Sequence, residues 1–420
     1  MSNKRTFSPI YIDSSLVEGE GMDFSELRKA VEEVELVDGH SHNIVALNST
    51  SISGFVQAFT VGAFVDADAI AFAQTSLSFK RSLRDVAELY GTEVSLQGVE
   101  EYRKASGIES ISSTCLKAAK FSAILIDDGI EMDKKHDMQW HKNFTPFVGR
   151  ILRTERVAEQ ILEQGLPNGS SWTIDSFTEA YVSKVKSVAK EIHALKSIAA
   201  YYGGLEINLN VTKTDAEESL KEVLTNTAKP IFLLKYKNYK NLVDYLFLQS
   251  LEIALSYDLP MQIHTGFGDR LLDLRKTNPL HLRSVLEDKR YSKCRFVLLH
   301  ASHPYSKEAS YLASVYSQVY LDFGLAIPKL SVHGMTSAVK DLLNLAPLDK
   351  VMFSTDAYTF PETFYLGAKN SREVVFSVLH DACIDGELSI PEAVEAAKDI
   401  LARNAIRFYK ISSPNNAGPP

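Results

Sequence analysis

Apolar residues along the chain gather in short runs of six to eight, separated by longer stretches in which they recur every three to four positions. A short run bounded by polar residues reads as a buried strand, and the three-to-four spacing as one buried face of a helix. Eight runs qualify as strands: 34–40, 121–127, 146–152, 192–199, 260–266, 294–300, 318–323 and 350–355. Helical patterns cover 176–191, 242–257, 280–288, 305–316, 335–345, 371–385 and, last, 390–409. A first helix over 23–33 has Asp23 as its N-cap candidate, and a later one stops at Gly91. Strands that alternate with helices build βαβ units and a parallel sheet. Eight of them predict an α/β protein with a closed (β/α)8 TIM barrel. The open doubly wound sheet is the rival, but no GxGxxG opens a helix after the first strand.

Residues 41–120 contain no clear strand and read as a helical insertion after strand 1, at the catalytic end of the barrel. The expected organisation is a flexible leader over 1–22, the barrel over 23–410 and a disordered, linker-like tail over 411–420. A Pro/Asn/Gly linker with nothing after it points to a natural chain that continues.

Charge narrows the function classes. Forty-five basic against 53 acidic residues give a net charge of −8, so no global basic field recruits nucleic acid or an anionic membrane. No run of 18 apolar residues occurs. Three widely spaced cysteines, Cys115, Cys294 and Cys383, fit a reducing compartment. The expectation is a soluble, cytoplasmic protein whose partner is a small molecule; oligomers are compatible with this reading.

The candidate chemistry falls where a barrel places it, at the C-terminal ends of strands. His40 ends the first strand (ELVDGHSH) and His42 lies two residues on, so both rings of an extended segment can reach one ion. His264 is near the end of the fifth strand, His300 ends the sixth, and Asp356 follows the eighth. Four imidazoles and a carboxylate form a borderline-soft set suited to zinc or a similar divalent ion. Such an ion activates water and polarises a carbonyl. Taken singly, each residue also has an ordinary reading: His264 a core histidine, Asp356 a helix cap.

The segments DGHSHN, MQIHTGFGD, FVLLHASHP, FSTDAYTFPETFYLGAK and ARNAIRFY carry a family resemblance. The chain resembles the amidohydrolase superfamily over 23–410, specifically its amidohydrolase-2, FluG- and nodulin-like branch. In plants, similar segments form the N-terminal half of proteins whose C-terminal half resembles type-I glutamine synthetase, which would make such a domain a covalent neighbour.

The resemblance implies metal-dependent hydrolysis of an amide C–N bond, with Asp356 as both ligand and general base. It implies that His40, His42 and Asp356 hold one ion. His264 and His300 would hold a second, or His300 would polarise the carbonyl in a one-metal site. Lys196 occupies the strand-four position at which binuclear members carry a carboxylated, bridging lysine. Arg150, Asp269 and Arg275 are candidate substrate contacts, the arginines as two-pronged carboxylate clamps. A γ-glutamyl or other amino-acid conjugate is the candidate substrate. Two rivals stay open: a non-oxidative decarboxylase of the same superfamily, and a binding or assembly module that no longer turns over substrate.

Overall fold

The computed structural model describes residues 22–51, 54–59, 67–166, 171–226 and 239–412. Residues 1–21 of the expected leader and 413–420 of the expected tail lie outside the described residues. Eight strands form one parallel sheet in sequential order: β1 (Leu36–Ser41), β2 (Phe121–Asp127), β3 (Phe147–Arg153), β4 (Ala194–Ser197), β5 (Met261–Ile263), β6 (Phe296–Leu298), β7 (Val319–Asp322) and β8 (Val351–Met352). Every neighbouring pair is parallel. Backbone hydrogen bonds join the first strand to the last: Gly39 N–H to Phe353 O at 3.2 Å, Asp356 N–H to His40 O at 2.9 Å and His42 N–H to Ala357 O at 2.7 Å. This is the (β/α)8 barrel that the apolar runs predict, with helices between the strands.

All strands but β2 and β3 are shorter than their apolar runs. Runs 260–266 and 294–300 shrink to three paired residues each because their last members leave the ladder and turn into the catalytic end. Within 41–120, helices run over Leu77–Tyr90 and Leu96–Ala119, capped by the side chains of Ser76 and Ser95. Gly91 ends the first of these in the left-handed conformation (φ 65°).

Three sequence expectations are displaced. Phe24, not Asp23, is the N-cap of the first helix, although Asp23 still accepts a hydrogen bond from Ser25 N–H. The helix expected over 371–385 begins at Pro361, where a proline at the first turn loses no hydrogen bond. The final helix is broken by a π-turn over Asp399–Arg403.

Two apolar clusters hold the barrel. The larger lies between strands and helices. The smaller fills the barrel interior with Val37, Leu125, Ile151, Val297 and Met352, and the C-terminal segment plugs it from below with Ala405, Phe408, Tyr409 and Ile411. Ile411, expected to start the tail, is therefore buried. No helix among the described residues is long and apolar enough to cross a membrane.

Candidate metal centre

His40 and His42 are aimed by an irregularity in β1, whose register with β2 shifts between Asp38 and Ser41. Asp38 fixes this stretch across the barrel seam, accepting from His40 N–H (3.2 Å) and Thr355 N–H (2.9 Å). His264 follows β5 directly. His300 and Asp356 lie beyond their strand ends in left-handed backbone, at φ 68° and 49°. For non-glycine residues that conformation costs about 1–2 kcal/mol each, and such strain concentrates at functional sites. Gly266 (φ 69°) locks the loops after β5 and β6 together: a Cβ there would sit 2.3 Å from the Ser302 backbone. Thr265 Oγ1 donates to Leu299 O at 2.7 Å across the same junction.

The five predicted ligands converge. Asp356 Oδ1 lies 3.3 Å from His40 Nε2 and 3.3 Å from His42 Nε2. His264 Nδ1 and His300 Nε2 are 3.0 Å apart, and the His40 and His300 ring centroids are separated by 6.0 Å. Lys196 Nζ stands 3.4 Å from His40 Nε2. All are buried except the Asp356 side chain, 12% exposed.

The far nitrogens of the four imidazoles decide what the near ones offer. His40 Nδ1 faces Gln262 Oε1 at 2.8 Å, His42 Nδ1 faces Asp127 O at 2.8 Å, His264 Nε2 faces Phe267 O at 3.1 Å and His300 Nδ1 faces Gly324 O at 3.4 Å. Each oxygen only accepts, so each far nitrogen donates and carries the proton. The four near nitrogens are then bare lone pairs, turned toward one another and toward a carboxylate. Such a set attracts positive charge, and the Lys196 amine already borders it. It fits a divalent cation, and oxygen acceptors behind ligating imidazoles are the usual means of orienting them.

Electrostatics agree with this assignment. Burial lowers His40 to about 4 and His300 to about 3, and holds His264 well below its ordinary value, so these rings are neutral at pH 7. Burial alone would raise Asp356; protonated His300, His40 and His42 rings would hold it well below the usual carboxylate range, a role that falls to a cation where the rings are neutral. Burial also lowers Lys196 to about 8.

Asp127 offers a ligand atom within 4.8 Å of those of His40 and His42, yet its carboxylate is already engaged. Oδ2 takes two hydrogen bonds from Arg153 (2.6 and 3.0 Å) and Oδ1 one from Gly129 N–H. Asp356, to which no lysine or arginine is bonded among the described residues, is the better ligand.

The three predicted substrate contacts fare differently. Ile151 faces the barrel interior, so Arg150 points outward and bonds Asp128 Oδ2 at 3.0 Å. Strand parity puts Arg153 on the inner side instead. Arg275, with 89% of its side chain exposed, forks onto Asp273. Asp269 alone approaches the centre: its N–H lies 3.3 Å from Tyr201 OH, and the Tyr201 ring packs edge-on against His264. Sequence reading did not single out Gln262, Asp38 or Arg153 for the site. The signal was a polar residue inside an apolar run.

A family model described as Amidohydrolase matches residues 200–411, half of the chain. The chain belongs to the amidohydrolase family. That match includes His264, His300 and Asp356, while the β1 pair and Lys196 precede it. This amidohydrolase is 29% identical to Protein fluG of Emericella nidulans, over 94% of this chain and 47% of that protein, which puts it in the FluG-like branch. It thus spans about half the length of that curated relative. Its fold is similar to a Lactobacillus casei protein assigned as a metal-dependent hydrolase (TM-score 0.78, 24% identity, 91% of this chain and 97% of that one). It is also similar to a uronate isomerase of Thermotoga maritima (TM-score 0.65, 13% identity, 94% and 98%).

Proposed function

We propose that this protein is a zinc-dependent hydrolase that cleaves the C–N bond of a small amide, with γ-glutamyl and other amino-acid conjugates as the substrate class. The observation that carries the reading is the meeting of His40 and His42 on Asp356 with the His264–His300 pair beside them. His40, His42 and Asp356 would hold one ion, and His264 and His300 a second. A divalent ion held there supplies Lewis acidity toward water and toward the amide carbonyl.

Asp356, ionised because its pKa is held low, takes the proton from the attacking water. It then passes that proton to the leaving amine nitrogen as the C–O bond forms and the C–N bond breaks. His300 is better suited to holding an ion than to polarising a carbonyl, because its Nε2 has no proton to donate. The Tyr201 ring would border the substrate beside His264.

Lys196 is the natural bridge. As an ammonium it would oppose two nearby cations; carboxylated at Nζ, it would offer an anionic oxygen to each. Its lowered pKa supports the reading by increasing the neutral amine that reacts with carbon dioxide.

The test is elemental analysis joined to an assay of amine release from a panel of γ-glutamyl and aminoacyl amides. The wild type is expected to hold one to two zinc ions per chain and to release amine. The His40→Ala/His42→Ala variant should lose most of the metal and the activity. A protein that holds no divalent ion, or that converts a carboxylic acid substrate without releasing amine, overturns the reading.

A further inference from the structure

We propose that Gln262 and Tyr409 are positioning residues: through them the floor of the barrel fixes which nitrogen of His40 faces the metal centre. The inference rests on the reading of His40 as a ligand.

Gln262 lies on β5, fully buried, two residues before His264. Its Oε1 is 2.8 Å from His40 Nδ1, while its Nε2 donates to Gly39 O at 2.8 Å and to Tyr409 OH at 2.7 Å. Those two bonds use both amide protons. Turning the amide over would set Oε1 against the Gly39 carbonyl, acceptor against acceptor. Oε1 therefore has to face His40, Nδ1 has to carry the proton, and Nε2 is left bare toward Asp356 and Lys196. Without this amide, a neutral imidazole can place its proton on either nitrogen. The tautomer with the proton on Nε2 cannot bind a metal through that atom.

Tyr409 is held from several sides. It ends the last helix, Asn404–Tyr409, within the ARNAIRFY segment. Asn404 Nδ2 donates to Val351 O at 2.8 Å, and Arg295 donates to Phe408 O at 2.6 Å. The Tyr409 ring lies where a Gly39 side chain would begin, 3.3 Å from an ideal Cβ. Gly39, Gln262 and Tyr409 thus form one layer beneath the histidine, drawn from the first strand, the fifth strand and the C-terminal plug.

The experiment titrates metal-free protein with Co(II), reading the affinity and the visible absorption of the bound ion, in wild type and in Gln262→Leu, Gln262→Glu and Tyr409→Phe. Gln262→Leu is expected to weaken Co(II) binding on the order of 10- to 100-fold and to change the spectrum. Gln262→Glu, which keeps an acceptor at His40 Nδ1, should recover most of that loss. Tyr409→Phe should shift both readouts in the direction of the Leu variant, by less. A folded Gln262→Leu protein with wild-type affinity and spectrum overturns the inference, as does a Glu variant no better than Leu. If the Leu variant does not fold, Tyr409→Phe decides, and unchanged binding there overturns it. In either case, Co(II) binding that is lost in His40→Ala leaves the metal reading standing. A wild type that binds no Co(II) overturns both.

Discussion

His264 Nδ1 and His300 Nε2 face each other at 3.0 Å, and each ring gives its only proton to a backbone carbonyl on its far side. Two lone pairs at that distance repel. The strained backbone at His300 and the glycine-locked junction at Gly266 hold them there. Positive charge between the rings would relieve that repulsion.

A consequence is testable by proton counting. Metal binds the unprotonated imidazole. A ring of ordinary pKa, near 6.5, is mostly protonated at pH 6, and three such rings would release about two protons on binding. Burial lowers His40 to about 4 and His300 to about 3, and His264 well below normal, so they are already neutral. Titration calorimetry of metal-free protein with zinc at pH 6, in bicarbonate-free buffers of different ionisation enthalpy, should show less than one proton released from these rings. A release of about two would mean that the pocket is wetter than this structure.

Asp356→Asn should leave the fold intact and reduce kcat on the order of 10²- to 10⁴-fold, the usual loss of a proton-transfer partner. Because Asp356 is held well below the usual carboxylate range, it stays ionised throughout the near-neutral range. The wild-type rate should therefore show no acidic limb between pH 5 and 7 from this group. Near-normal kcat in the Asn variant, measured by amine release, would remove Asp356 from the reaction.

Metal number turns on Lys196. Zinc loading in the presence of bicarbonate should give two ions per chain, and loading in its absence about one. Lys196→Ala should hold one ion under both conditions, with partial recovery of the second on adding short carboxylic acids. Two ions bound by Lys196→Ala without such acids would rule out a bridging role.

Asp127 separates positioning from ligation. Its carboxylate neutralises Arg153 inside the barrel, and its backbone carbonyl orients His42. Asp127→Asn keeps the carbonyl and leaves a buried guanidinium short of its partner. The expected loss is on the order of 3 kcal/mol of stability, read as a lower Tm, with zinc stoichiometry unchanged well below that Tm. Loss of zinc at full folding would make Asp127 a ligand.

Much of this architecture was legible in the order of apolar runs, because parallel barrel strands are buried on both faces and lack the alternation that blurs other strands. The ligand positions were legible for a related reason: a histidine ending an apolar run in a barrel has few places to point. What stayed hidden depends on parity and on distant partners. Arg150 and Arg153 look alike in sequence, and only the inward direction of Ile151 tells them apart. Gln262 reads as a lapse in an apolar run until Tyr409, 147 positions later, arrives beneath it. The left-handed backbone at His300 and Asp356 was not legible, since Asp and His are enriched there yet adopt it at only a minority of their positions.

The barrel seam has a consequence for the order in which this protein can come into being. His40 and His42 lie on the first strand, whereas Thr355, which bonds Asp38, lies 317 positions further on, with Asp356 next to it and the Tyr409 plug beyond. A growing chain therefore keeps its first strand unpaired on one edge until the eighth has appeared. Contacts of such sequence separation form slowly. An exposed parallel edge is open to mispairing during that wait, and the five candidate ligands come together only once the seam has closed.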